Sequence, residues 1–150
     1  MIVGREPVVM GPLTTRRRVE FRDTDAAGIA HFSAFFFWME SVEHELLRAA
    51  GVAVVERQPD GSDVSWPRVS TGCDYESAVR FGDEIEVTAA VAAIGRTSVT
   101  YAFVFAHAGR PVARGRVVAV RCAMRPATPP EPVAIPADVR QRLEAFRSAG

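Results

Sequence analysis

The sequence contains no lysine; all eighteen basic residues are arginine. A chain without lysine has neither a Schiff-base nucleophile nor the lysine of a phosphate-binding P-loop. Asparagine is absent too. Cysteine is scarce: Cys73 and Cys122 stand far apart, without the close pairs that zinc sites use, so no metal site is expected. Both read as small buried hydrophobes of a reduced cytoplasm. Net charge is missing as well, since eighteen acidic residues balance the arginines, and no overall field favours nucleic acid or an anionic membrane. Any anion must be held locally. No apolar run approaches the ~20 residues of a membrane span, and MIVGREPVVMGPL lacks the basic start and long apolar middle of a signal peptide. A cytoplasmic location is the expectation.

What is present suits one domain over residues 1–150, with 1–13 and 126–150 as peripheral segments. The 150 residues are 48% hydrophobic, and a chain of this size buries roughly 70% of its unfolded surface without disulfides. TTRRRVEFR, Thr14 to Arg22, alternates charge with Val19 and Phe21 and predicts a first strand. The small and turn-forming residues of DTDAAG, Asp23 to Gly28, interrupt it. Phe35, Met39, Val42 and Leu46 then recur at helical spacing, predicting a helix from Ser33 to Ala50 with Gly51 as its C-cap. The first half of that helix, FFFWM, is apolar on every side, so protein must surround it. A curved sheet wrapped around it is the economical solution.

Four further segments supply the sheet: Ser65 to Val79, Glu84 to Ile94, Thr97 to His107 and Pro111 to Met124. Their separators are too short for parallel crossovers, so the strands run antiparallel. Along Thr97 to Phe105 the odd positions Val99, Tyr101, Phe103 and Phe105 form the heavier face. The proline-rich RPATPPEPVAIP is expected to hold no ladder, and a short helix from Ala137 to Phe146 closes the chain. The fold class is α+β, in the order β-α-β-β-β-β.

The chemistry concentrates between Phe21 and Gly51. A calcium loop would need oxygen ligands where Ala27 and Ala34 stand, and a phosphoryl-transfer aspartate pair conflicts with the antiparallel pattern and the missing lysine. The remaining reading is a carboxylate, Asp25, facing the start of a buried helix, whose first N–H groups lack partners and attract developing negative charge. A carboxylate and an oxyanion site suffice for acyl transfer when the leaving group departs unaided, as a thiolate does with a thiol pKa of ~8.5. Thioester hydrolysis is the matching reaction.

The stretch VEFRDTDAAGIAHFSAFFFWME, Val19 to Glu40, resembles the signature of the 4-hydroxybenzoyl-CoA thioesterase family, hotdog-fold acyl-CoA thioesterases. The resemblance spans about Arg17 to Met124. It implies a hotdog fold, an antiparallel sheet of about five strands around one long helix, and an acyl-CoA substrate with no separate cofactor. It further implies Asp25, the second aspartate of D-x-D, as nucleophile or general base, with the backbone amide of about Phe32 polarising the carbonyl. Ala34-Phe35 stands where the family usually has Asn-Tyr, a departure that leaves the backbone donor intact. Asp23 is expected to be structural. His31 is a further catalytic candidate or a bonded, partly buried histidine, and Glu40 is the substitute carboxylate.

Substrate contacts are expected at Gly28, Ser33, Ser70, Thr71, Gly72, Arg96 and Thr97, with Arg96 the leading partner for coenzyme A phosphates ahead of Arg114, Arg116, Arg121 and Arg125. The aromatic load of one helix exceeds what one small sheet hides, so a homodimer is the minimum assembly and a homotetramer is expected. Two other activities compete: a hotdog hydratase or dehydratase using His31 with Asp25, and a noncatalytic acyl-thioester binding module.

Overall fold

The structure is a computed structural model and describes residues 11–149. The signal-peptide reading and most of the expected peripheral segment 1–13 therefore lie outside the described residues. The chain forms β1 (Leu13–Arg18), α1 (Ala34–Ala50), β2 (Glu56–Arg57), β3 (Asp63–Ser65), β4 (Arg68–Tyr75), β5 (Glu84–Ile94), β6 (Ser98–His107), β7 (Arg110–Val120), β8 (Cys122–Met124), β9 (Glu131–Pro132) and α2 (Ala137–Glu144). The main sheet has five antiparallel strands in the order β1-β5-β6-β7-β4, and α1 packs across it.

The expected alternation decides the core. Val99, Tyr101, Phe103 and Phe105 of β6 are all buried, and they meet Phe35, Trp38, Met39, Val42 and Leu46 of α1 in one cluster. Contact between helix and sheet is closest at Gly115 of β7, where a Cβ would run into the Met39 side chain. Gly51 ends α1 as expected, in the left-handed conformation with φ 72°, and its N–H closes on the Arg48 carbonyl at 3.1 Å.

Four expectations need correction. The first strand stops at Arg18 instead of Arg22, because Phe21–Asp23 winds into a 3₁₀ turn in which Asp23 Oδ2 accepts the Glu20 N–H at 2.8 Å. Val19, fully buried, is held by the Asp83 carbonyl rather than by the ladder. The proline-rich segment does hold a ladder: β9 pairs with β8, and Pro132 is tolerated because β9 is the edge of a second small sheet ordered β2-β3-β8-β9. The tail from 126 onward is less peripheral than expected, since Leu143 and Phe146 are buried in the main core. Finally, α1 is not enclosed on all sides by the described residues: Phe37 is 72% exposed and Phe32, just before the helix, 62%. One five-stranded sheet can cover only one face of a helix, and the opposite face stays open.

Strand β4 is the other open element. It is an edge strand, and all of its residues but Arg68 and Cys73 are exposed. Cys122 is buried and Cys73 half-buried, both as free thiols.

Candidate active site

The loop Thr24–Ser33 carries the candidate carboxylate to the mouth of α1, and backbone bonds hold it there. Asp25 N–H donates to the Ile29 carbonyl at 2.9 Å, and Gly28 N–H returns to the Asp25 carbonyl at 2.9 Å. Gly28 permits this turn with φ 78°. The Asp25 carboxylate is half-buried; Oδ1 accepts the Ala27 N–H at 2.8 Å, and Oδ2 accepts nothing among the described residues. One oxygen thus steadies the turn and the other is free.

Asp25, Phe32, Phe35 and Tyr75 line one cavity of about 340 Å³, floored by Ala30 and Val79. The backbone donors around Phe32 can be counted group by group. Ala30 N–H donates to the Val79 carbonyl at 2.8 Å, His31 N–H to the Asp23 carbonyl at 2.7 Å, Ser33 N–H to His31 Nδ1 at 3.2 Å and Ala34 N–H to the His31 carbonyl at 2.9 Å. The Phe32 N–H alone in this run donates to nothing among the described residues. A residue with an unpartnered amide next to a helix start, lining the same cavity as a carboxylate with one unpartnered oxygen, offers an oxyanion donor and a nucleophile or base to one site.

Comparison with known proteins decides the family. The family model described as the thioesterase-like superfamily matches residues 19–143. The chain belongs to that superfamily. A 1,4-dihydroxy-2-naphthoyl-CoA hydrolase of Prochlorococcus marinus (strain NATL2A) is 28% identical over 106 residues, 67% of this chain and 68% of that protein. The crystal structure of a 1,4-dihydroxy-2-naphthoyl-CoA thioesterase from Synechocystis superposes with a TM-score of 0.77 at 18% identity, covering 89% of this chain and 96% of that one. The structure of a gentisyl-coenzyme A thioesterase gives 0.75 at 24% identity, covering 87% and 99%. The α+β architecture is accordingly the hotdog fold, and the chain stands among thioester hydrolases.

Within this hotdog thioesterase the residues singled out from sequence separate into three groups. Asp25 and Phe32 come together in the smaller cavity. His31 and Ser33 open instead into a larger cleft of about 890 Å³ on the other side of the helix start, shared with Arg17 and Trp38. His31 is half-buried and bonded, its Nδ1 lying 2.7 Å from Ser33 Oγ. The His31–Asp25 pair that a hydratase would need is therefore not assembled, because the two side chains face different cavities. Asp23 plays its expected structural part through Glu20 and His31.

The third group lines neither cavity. Ser70, Thr71 and Gly72 lie along the exposed edge β4, and Arg96 and Thr97 sit in the β5–β6 turn. That turn is at the opposite end of β6 from Phe105, which packs on Phe35 beside the cavity. The seven residue steps from Ser98 to Phe105 span about 23 Å, beyond the reach of an arginine side chain in the same chain. Glu40, the substitute carboxylate, lines neither cavity and lies 3.8 Å from Arg68.

Two features around the site escaped the sequence reading. Tyr75 closes the smaller cavity, its hydroxyl donating to the Phe32 carbonyl at 2.7 Å across 43 residues of sequence. Glu43, on the sheet-facing side of α1, is fully buried. Arg68 Nη2 approaches Glu43 Oε2 to 3.0 Å, yet neither Glu43 oxygen receives a well-aligned hydrogen bond among the described residues. Burial pushes the Glu43 carboxyl above its usual range, with Arg68 opposing. The same guanidinium donates to His44 Nε2 at 3.2 Å, and burial together with Arg68 pushes that imidazole down. The helical period that marks Phe35, Met39 and Leu46 as core also includes Glu43, four residues after Met39, and that was the available signal. Tyr75 had none, since its role depends on which loop packs against the end of β4.

Proposed function

We propose that this protein is an acyl-CoA thioesterase, hydrolysing an acyl-CoA to a free acid and coenzyme A. Asp25 either attacks the acyl carbonyl to form a mixed anhydride, later opened by water, or removes a proton from the attacking water. In both routes the carbonyl oxygen becomes an oxyanion beside the Phe32 N–H, and the C–S bond then breaks to release the thiolate. A thiolate needs no acid to leave, which accords with a cavity that offers one carboxylate and one free amide. The observation that carries the reading is one cavity lined by both Asp25 and Phe32, with Asp25 Oδ2 and the Phe32 N–H each without a partner among the described residues.

The relatives named for dihydroxynaphthoyl- and gentisyl-CoA make aromatic acyl groups the first to try, and the ring of Phe35 at the cavity wall suits them. The exposed edge of β4 together with Phe37 and Phe32 favours assembly with a second copy. Antiparallel pairing of two β4 edges would bring the far end of one sheet, with Ser70, Arg96 and Thr97, toward the partner's cavity, and in that arrangement Arg96 can meet the phosphates of coenzyme A. A dimer is thus the least assembly in which all the proposed substrate contacts can serve one site.

Replacing Asp25 by Asn tests the chemistry. With free-thiol release measured over a panel of acyl-CoAs, kcat is expected to fall at least ~100-fold while product still binds. Full activity in the variant would remove Asp25 from the mechanism. Ligand binding without thiol release in the wild type would instead make the protein a binding module.

A further inference from the structure

The amide that the proposed reaction depends on is exposed to a source of disorder: it belongs to Phe32, a residue 62% exposed whose ring lies 4.3 Å from that of the neighbouring His31. An oxyanion donor is useful only when it is already aimed, because a donor that must first be reoriented loses much of its worth. What aims it can be followed bond by bond. The peptide group after Phe32 is held at both ends: its N–H, from Ser33, donates to His31 Nδ1 at 3.2 Å, and its carbonyl accepts the Tyr75 hydroxyl at 2.7 Å. The carbonyl of the peptide group before it, that of His31, accepts the Ala34 N–H at 2.9 Å. Every other tie in this run is to the loop itself, to Asp23 or to Val79; the Tyr75 bond is the one that reaches it from the main sheet.

The hydroxyl end of that tie is packed against the core on one side, although Tyr75 as a whole is 46% exposed. The Tyr75 ring stands edge-on to Phe35 at 5.1 Å, and Phe35 stands edge-on to Trp38 at 4.9 Å and to Phe105 at 5.2 Å, so an unbroken aromatic column connects the phenol to the buried core. We infer that Tyr75 is a positioning residue of the active site, fixing the direction of the Phe32 N–H through its bond to the Phe32 carbonyl without itself taking part in bond making or breaking. The role rests on the proposed thioester hydrolysis and deepens it. Burial pushes the phenol up to about 12, so the hydroxyl remains a donor throughout the neutral range and the tie does not switch with pH there.

Tyr75→Phe removes the hydroxyl and keeps the ring that packs on Phe35. The expected result is a fall in kcat of about tenfold, a part of the 10²–10³ that an entire oxyanion donor supplies, with KM within twofold of wild type, an unchanged pH profile and a melting temperature within a few degrees. An amide ¹⁵N–¹H spectrum should show the Phe32 and Ser33 signals displaced. An unchanged kcat, or a loss expressed as raised KM, would overturn the assignment; the second outcome would make Tyr75 a substrate contact. If Asp25→Asn abolishes hydrolysis while Tyr75→Phe does not slow it, only the Tyr75 role falls. If Asp25→Asn stays active, the Asp25 chemistry falls, and the Tyr75 role is still decided by its own kcat.

Discussion

Two carboxylates frame the central helix, and they are solvated in opposite ways. Asp25 lies before its start, half-buried, with one oxygen engaged by a turn amide and the other open to a cavity. Glu43 lies well inside the helix, fully buried, with a guanidinium close by but no aligned hydrogen bond to either oxygen, and faces a core that also holds the unpartnered Tyr101 hydroxyl. The first arrangement leaves a charged oxygen accessible to a substrate at little cost to folding. The second carries an unfavourable burial that no visible chemistry recovers, since Glu43 lines neither cavity. If the proposed chemistry holds, an unfilled valence at a cavity wall is a better guide to catalysis here than burial of an ionisable group on the central helix.

The largest effect that would break this contrast is on turnover. Asp25→Asn should lower kcat at least ~100-fold, whereas Glu43→Gln should leave kcat within a few-fold; the reverse ranking in a thiol-release assay would exchange the roles of the two acids. Next comes the contact on which the helix rests between them. Gly115→Ala inserts a methyl group against Met39 and should cost about 1–3 kcal/mol of stability, read from a denaturant midpoint at constant m-value.

A smaller effect separates the two acids by pH. Because burial raises the folded-state pKa of Glu43, the native state holds the proton more tightly than the unfolded chain does. Its contribution to stability is therefore full below the ordinary glutamate value of 4.5 and is lost as pH rises through the raised folded value. Unfolding midpoints measured upward from pH 4 should show this decline in the wild type and a flatter profile in Glu43→Gln. Equal slopes would place the titration elsewhere. The smallest effect belongs to Tyr101→Phe: deleting a buried hydroxyl that bonds to nothing should change stability little or raise it by up to about 1 kcal/mol, in contrast to the usual loss for a core substitution.

Most of the framework was legible in the pattern of residues. The apolar period from Phe35 to Leu46 and the glycine at 51 located α1 to within one residue at its start, alternation marked the buried face of β6, and short separators bounded β5 and β6. Asp25 and the Phe32 amide were legible from the D-x-D turn, the helix that follows it and the family resemblance. What could not be read shares one physical cause, namely dependence on contacts distant in sequence. The two- and three-residue strands of the second sheet have no periodicity of their own. Phe37 sits in a uniformly apolar run, so nothing local distinguishes it from its buried neighbours Phe35 and Trp38. Arg96 looked well placed in its turn, but only the length of β6 reveals that the turn lies far from Asp25.

Tyr75 is the last residue of β4, the strand whose outer edge has no neighbour among the described residues. Whatever docks along that edge will stiffen or twist the strand, and the disturbance arrives one hydroxyl away from the peptide that would receive the substrate's oxygen. Association and turnover would then share a mechanical element, so that specific activity should depend on protein concentration, declining on dilution before the fold itself is lost.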